Sequence, residues 1–174
     1  MSRRLARETA LQVLFQVDMT GDNIDKAKTV SKWAEEFTVP ENSVPFAQEL
    51  VEGTLLHKEE IDKKIAAYAQ GWSIDRMATV DRNLLRLATY EVLYRTDIPG
   101  RVTLNEAVEL AKRYGGEDSA KFINGIMDRI VDNTNKRESE SKRVESLESV
   151  KTVESAQLAE SVKGGLDKSE EKMS

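Results

Sequence analysis

The sequence predicts an all-α fold, and three observations carry that prediction. Apolar residues recur at the helical period from the N-terminus to about residue 136, no stretch keeps the strict alternation of a strand, and Pro40, Pro45 and Pro99 all fall between periodic segments. The spacing places helices over 4–19, 23–37, 45–69, 74–78, 80–95, 104–114 and 119–133 of the 174 residues, about seven in all.

The first helix, within MSRRLARETALQVLFQVDM, has two faces. At about 100° per residue, Ala6, Ala10, Val13, Leu14 and Val17 form one apolar stripe, while Arg4, Arg7, Leu11 and Phe15 gather on the opposite side. An aromatic among arginines, turned away from the expected core, is either a docking surface or a stacking platform. TVPENSVP then interrupts the chain between a helix ending near Phe37 and one beginning near Phe46. The long segment 45–69 is amphipathic, and its His57, beside Lys58, Glu59 and Glu60, reads as a surface or boundary residue.

VDRNLLRLATYEVLYR is apolar nearly all round, as expected of a central helix packed on several sides. Arg86 and Glu91 on it therefore call for buried pairing. After Pro99-Gly100, TLNE at Thr103–Glu106 has the spacing of a capping box, and the helix it opens stops at Gly115-Gly116. In the last predicted helix Ile123, Ile126, Met127, Ile130 and Val131 form a core-facing stripe. Phe122 lies about 100° from its middle, grouped with Asp118, Lys121, Gly125 and Arg129. From Arg137 to Ser174 the chain has no aromatic residue, eight serines, seven basic and nine acidic residues, and reads as a disordered tail. The division is thus a helical domain over 1–136 and a tail over 137–174. A marginal helix is the alternative there, because Val144, Leu147, Val150 and Val153 recur at every third residue.

Composition removes several function classes. With no cysteine and one histidine, Cys-based and His-cluster metal sites and a Cys nucleophile are excluded. Gly115-Gly116 lacks the Lys-Ser/Thr and the preceding strand of a phosphate loop. Adjacent carboxylates such as Glu35-Glu36 and Glu59-Glu60 diverge on a helix instead of forming a dyad. No enzymatic activity, cofactor or metal is expected. No apolar run is long enough to cross a membrane or form a signal-peptide core, so a cytoplasmic protein is expected. The net charge is −5, yet three arginines and no acid stand in the first seven residues, so a local basic patch is compatible with an acidic whole. Aromatic faces combined with Arg and Lys suit single-stranded RNA, where bases stack and phosphates are neutralised.

RRLARETALQVLFQVD, FAQELVEG, GWSIDRMATVDRNLLRLATYEVLYR and VTLNEAVELAKRYGGEDSAKFINGIMDRI together resemble the NusB family of bacterial transcription antitermination factors. The resemblance covers Arg3 to about Val131. It implies two small helical bundles in one compact domain, binding to the boxA element of ribosomal RNA operon transcripts, and a heterodimer with small-subunit ribosomal protein ten (NusE). It further implies a place in the RNA polymerase antitermination complex with other Nus factors. Position by position, Arg3, Arg4, Arg7, Gln12, Phe15, Asp118, Lys121 and Phe122 match the RNA-binding positions, with Leu5 where relatives often have another Arg. Asp81, and with it Asp75 and Arg76, match the contact region for the ribosomal protein. Two other readings compete: a helical interaction module, homodimeric when free, with incidental RNA binding; and the RNA-binding part of a ribosomal RNA methylase, although this chain has neither the Gly-rich cofactor loop nor the cysteine for that reaction.

Overall fold

The computed structural model describes residues 2–21 and 24–170, with side chains as far as 165. Seven α-helices follow one another among the described residues: α1 (Arg3–Thr20), α2 (Lys26–Glu36), α3 (Val44–Leu56), α4 (Lys58–Tyr68), α5 (Thr79–Tyr94), α6 (Gly100–Tyr114) and α7 (Ser119–Glu170). Single 3₁₀ turns at Glu41–Ser43 and Ile74–Arg76 lead into α3 and α5. No strand occurs among the described residues.

The body, residues 1–134, is organised around α1 and α5. Helix α1 packs on α2, α3 and α5, and α5 packs on α1, α3, α4 and α6. As its apolar circumference predicts, α5 is buried without a break from Asn83 to Val92. The core stripe of α7, Ile123, Ile126, Met127, Ile130 and Val131, joins the same hydrophobic cluster as Leu14, Leu50 and Leu85. The charges on α5 are paired as expected. Arg86 donates to both oxygens of Asp62, at 2.7 and 2.9 Å, and Glu91 accepts from Arg7.

Three local expectations are corrected. The predicted helix 45–69 is broken at His57, whose ring stacks on Tyr94 at 4.1 Å, so α3 and α4 are separate elements. Just before that break, Tyr90 lies so close to Gly53 that a Cβ there would sit 2.1 Å from its ring. The segment 74–78 is a single 3₁₀ turn. Helix α6 starts at Gly100, behind Pro99, so TLNE does not cap it. Thr103 is buried inside the helix, and its hydroxyl donates to Glu91 Oε1 at 3.2 Å.

The tail forms a unit of its own, in which residues 135–170 follow a helical path, as the alternative reading of its apolar spacing allows; the final residues, 171–174, lie outside the described part. Proline is absent there, and serine and threonine hydroxyls such as Ser149 and Thr152 close onto carbonyls one turn back. This unit buries nothing within itself: every residue from Asn135 to Gly165 is exposed, including Val144, Leu147, Val150 and Val153.

Candidate nucleic-acid interface

The N-terminal arginines divide by burial. Ser2 N–H donates to Ser43 Oγ at 2.9 Å, which ties the start of α1 to the turn before α3. Arg3 lies over the ring of Phe46, 5.2 Å from its centroid, with Asp97 3.6 Å away. Arg4 is 55 % exposed and donates to both oxygens of Glu106, at 3.0 and 2.8 Å. The hydrogen bond from Arg4 holds the Glu106 carboxyl below its ordinary value against the opposing effect of burial.

Arg7 corrects the reading of the helical wheel. Its side chain is 5 % exposed and donates to Glu91 at 2.8 and 2.6 Å, and Leu11 beside it is buried as well. The face assigned to solvent is packed because α1 is enclosed by three other helices. A guanidinium so enclosed and neutralised is not an available phosphate contact. Gln12 and Phe15, further along α1, are half-buried. Among the described residues no aromatic ring stacks on Phe15; the neighbouring aromatic pair is Trp33 with Phe37, at 5.7 Å, and the Trp33 indole N–H donates to Gln16.

The second group gathers at the start of α7. There Gly116 N–H donates to Ser119 Oγ at 2.8 Å. A Cβ on Gly115 would come within 2.4 Å of Ser119 Cβ, so this turn is tight enough to require glycine. Asp118 and Lys121 are exposed, and Phe122 is half-buried with its ring 5.6 Å from that of Trp72 at an interplanar angle of 68°. These residues border a cavity of about 460 Å³ that is also lined by Tyr68 and Arg129. A second cavity, of about 430 Å³, shares Trp72, Asp118 and Phe122 and extends to Met77, Asp81 and Glu117.

Asp81, in the first turn of α5, is therefore beside the α7 group. Its Oδ1 is buried and has no hydrogen-bond partner. Asp75 and Arg76 are exposed on the 3₁₀ turn that precedes it. Among the described residues no hydrogen bond, ion pair or ring contact joins the α1 group to the Asp118–Phe122 group, so the structure presents two patches. Nor does any cluster of three His, Asp or Glu side chains form a metal-ligand set among them. Arg129, grouped with Phe122 on the helical wheel, does line the same cavity, whereas sequence reasoning missed Tyr68 and Trp72. The available signal was Trp72 itself, a large aromatic just past the end of a helix, following Gly71 at φ 78°.

The NusB family model matches residues 4–132. The transcription antitermination protein NusB of Desulfitobacterium hafniense is 65 % identical over 138 residues, which is 79 % of this chain and 93 % of the relative. That of Desulforamulus reducens is 51 % identical over 133 residues, 76 % of this chain and 92 % of the relative. Among solved structures, NusB of T. maritima superposes with a TM-score of 0.70 at 41 % identity, over 76 % of this chain and 92 % of that one. A chain in a crystal structure of antitermination factors NusB and NusE in complex with double-stranded RNA superposes with a TM-score of 0.67 at 31 % identity, over 75 % of this chain and 96 % of that one. These matches cover the helical body that carries both patches, and on them the chain belongs to the NusB family.

Proposed function

We propose that this protein is a non-catalytic RNA-binding adaptor of transcription antitermination, working in the cytoplasm. It binds the single-stranded boxA element of ribosomal RNA operon transcripts together with small-subunit ribosomal protein ten (NusE), and with other Nus factors marks the transcript for processive RNA polymerase. The observation that carries this reading is the pair of adjoining cavities at the start of α7. One combines aromatic rings with Lys121 and Arg129, which suits bases and phosphates. The other combines apolar side chains with Asp81, whose Oδ1 has no hydrogen-bond partner, which suits a cation presented by a folded partner. Arg3, Arg4, Gln12 and Phe15 supply the second RNA patch, Arg4 by exchanging Glu106 for a phosphate. Asp75 and Arg76, exposed on the turn that precedes α5, add to the partner contact.

The test is a titration of labelled boxA RNA, a scrambled single strand and a double-stranded control against the protein alone and with NusE. Preferential binding of the boxA strand, tightened by NusE, is expected. Equal binding of all three, or no heterodimer, refutes the reading. Self-association that buries the aromatic surface while RNA binds without preference supports the homodimerising module instead.

A further inference from the structure

Trp72 and Phe122 form a wall between two grooves of opposite charge. The groove on one side is bordered by Lys121 and Arg129, and that on the other by Asp81 and Glu117, with Asp118 at the edge of both. Among the described residues neither Lys121 nor Arg129 is paired with a carboxylate. Arg129 spends one N–H on the Tyr68 carbonyl at 3.2 Å, which fixes its position at the C-terminal end of α4. By contrast Arg4, Arg82, Arg86, Arg95 and Arg101 are all held by acids. Trp72 is 57 % exposed, although it is a residue whose indole gains much from burial. Its edge-to-face contact with Phe122 and the turn at Gly71 hold it in place while leaving ring surface open.

From this geometry we infer that Trp72 is a stacking platform for one unstacked base of a single-stranded RNA, in a slot completed by Phe122, with Lys121 and Arg129 neutralising the flanking phosphates. The inference rests on the RNA-binding reading above and adds to it the role of Trp72. Charge selects the occupant: an anionic strand fits the side with two uncommitted cations, whereas a cationic protein surface fits the side with Asp81 and Glu117. Stacking tolerates any base because each has a π-face, so this slot supplies affinity and register more than sequence choice.

The experiment uses the full chain and a fluorescein-labelled single-stranded boxA RNA, together with versions of that RNA carrying one abasic nucleotide at each position in turn. Trp72→Ala is expected to weaken binding about 5- to 150-fold, the range that loss of one base–aromatic stack produces. Its salt dependence should stay unchanged, and Trp72→Phe should restore most of the loss. One abasic position should weaken the wild type but add nothing to Trp72→Ala, which identifies the stacked base. Arg129→Gln should weaken binding and lower the log–log salt slope by about 0.7, as for one lost phosphate contact. In a Trp33→Phe background, RNA should quench the remaining tryptophan fluorescence.

Wild-type RNA affinity in Trp72→Ala, measured on protein whose thermal melt is intact, overturns the inference. A loss confined to NusE binding overturns it too, by assigning the ring to the protein groove. If Phe15→Ala loses RNA affinity while Trp72→Ala does not, the slot fails and the RNA-binding reading stands. If the wild type shows no preference for the RNA, both fall.

Discussion

Arg7 and Glu91 hold each other across the junction of α1 and α5 through two hydrogen bonds, 2.8 and 2.6 Å long, with both side chains out of solvent. Thr103 donates a third hydrogen bond to the same carboxylate from α6. Arg7→Ala would leave Glu91 charged, buried and short of partners, and should cost about 3–5 kcal/mol of stability. Arg4, three residues earlier and on the surface, should behave in the opposite way. Arg4→Ala should change stability little, because its guanidinium stands at the surface and solvent screens its pair with Glu106. It should instead weaken RNA binding and lower the salt slope by about 0.7. Denaturant melts and salt-dependent titrations of the two variants check both statements.

Phe15→Ala should weaken RNA binding by roughly 1–3 kcal/mol with little change in salt slope, as expected for a ring that stacks on a base. Since Phe15 is only half-buried, its stability loss should be smaller than the roughly 3–5 kcal/mol of a truncated core phenylalanine. A large stability loss with RNA affinity preserved in the folded fraction would assign the ring to packing alone.

Asp81→Lys should weaken the heterodimer with NusE by about 2–5 kcal/mol, the cost typical of removing one member of a buried interface charge pair. RNA binding by the isolated protein should hardly change. Calorimetry with NusE, alongside an RNA titration, separates the two, and unchanged NusE affinity would remove Asp81 from the interface.

Acid should weaken the anchor at the C-terminal end of α1. Burial pushes the Asp18 carboxyl up, but hydrogen bonds from Arg82 and Asn83, with the charges of Arg82 and Arg86, outweigh it and hold the group below its ordinary value. A carboxyl lowered by folding contributes stability above its unfolded value of about 3.9 and loses it as pH falls through the folded value. Denaturation midpoints should therefore drop as the pH is taken below about 4. Asp18→Asn should be less stable at pH 7 and show a flatter acid limb. Equal slopes in the two proteins would contradict the assignment.

Removing residues 137–174 should leave the melting of the body and its RNA affinity nearly unchanged, because the described part of that segment buries no side chain. The segment by itself should be only marginally helical in water: it has no packed face, and Gly164 and Gly165 each cost about 1 kcal/mol relative to alanine in a helix. Circular dichroism of the truncated protein and of the isolated segment tests this. A cooperative helical melt in the latter would show an interaction that the side chains do not suggest.

Much of this was legible in the residues. The period of the apolar positions located the helices, and the unbroken apolar arc of α5 identified it as central. Arg86 and Glu91 could be expected to pair, although their partners, Asp62 and Arg7, lie 24 and 84 positions away and no local pattern points to them. The wheel of α1 grouped Arg7 with Phe15 correctly by angle but could not say that α5 covers part of that face. Nor could periodicity find the break at His57, since α3 and α4 continue the same pattern on either side and the ring on which His57 stacks, Tyr94, is remote in sequence. At the site, Phe122 and Lys121 stood out by their position off the core stripe. Trp72 acquires its meaning only when the turn after α4 meets the start of α7.

The elbow at His57 determines how far the chain reaches. A straight helix over 45–69 would run about 37 Å at 1.5 Å per residue and would carry its far end well beyond the body. Divided into two shorter rods, with α4 packed on α5, the same residues deliver the turn with Gly71 and Trp72 to the first turns of α5 and α7. The bend, whose His57 ring packs on Tyr94 and Tyr90, is thus a distant determinant of where Trp72 sits. Enlarging or removing an aromatic at His57, Tyr90 or Tyr94 would alter the aim of a surface with which none of the three is in ring contact.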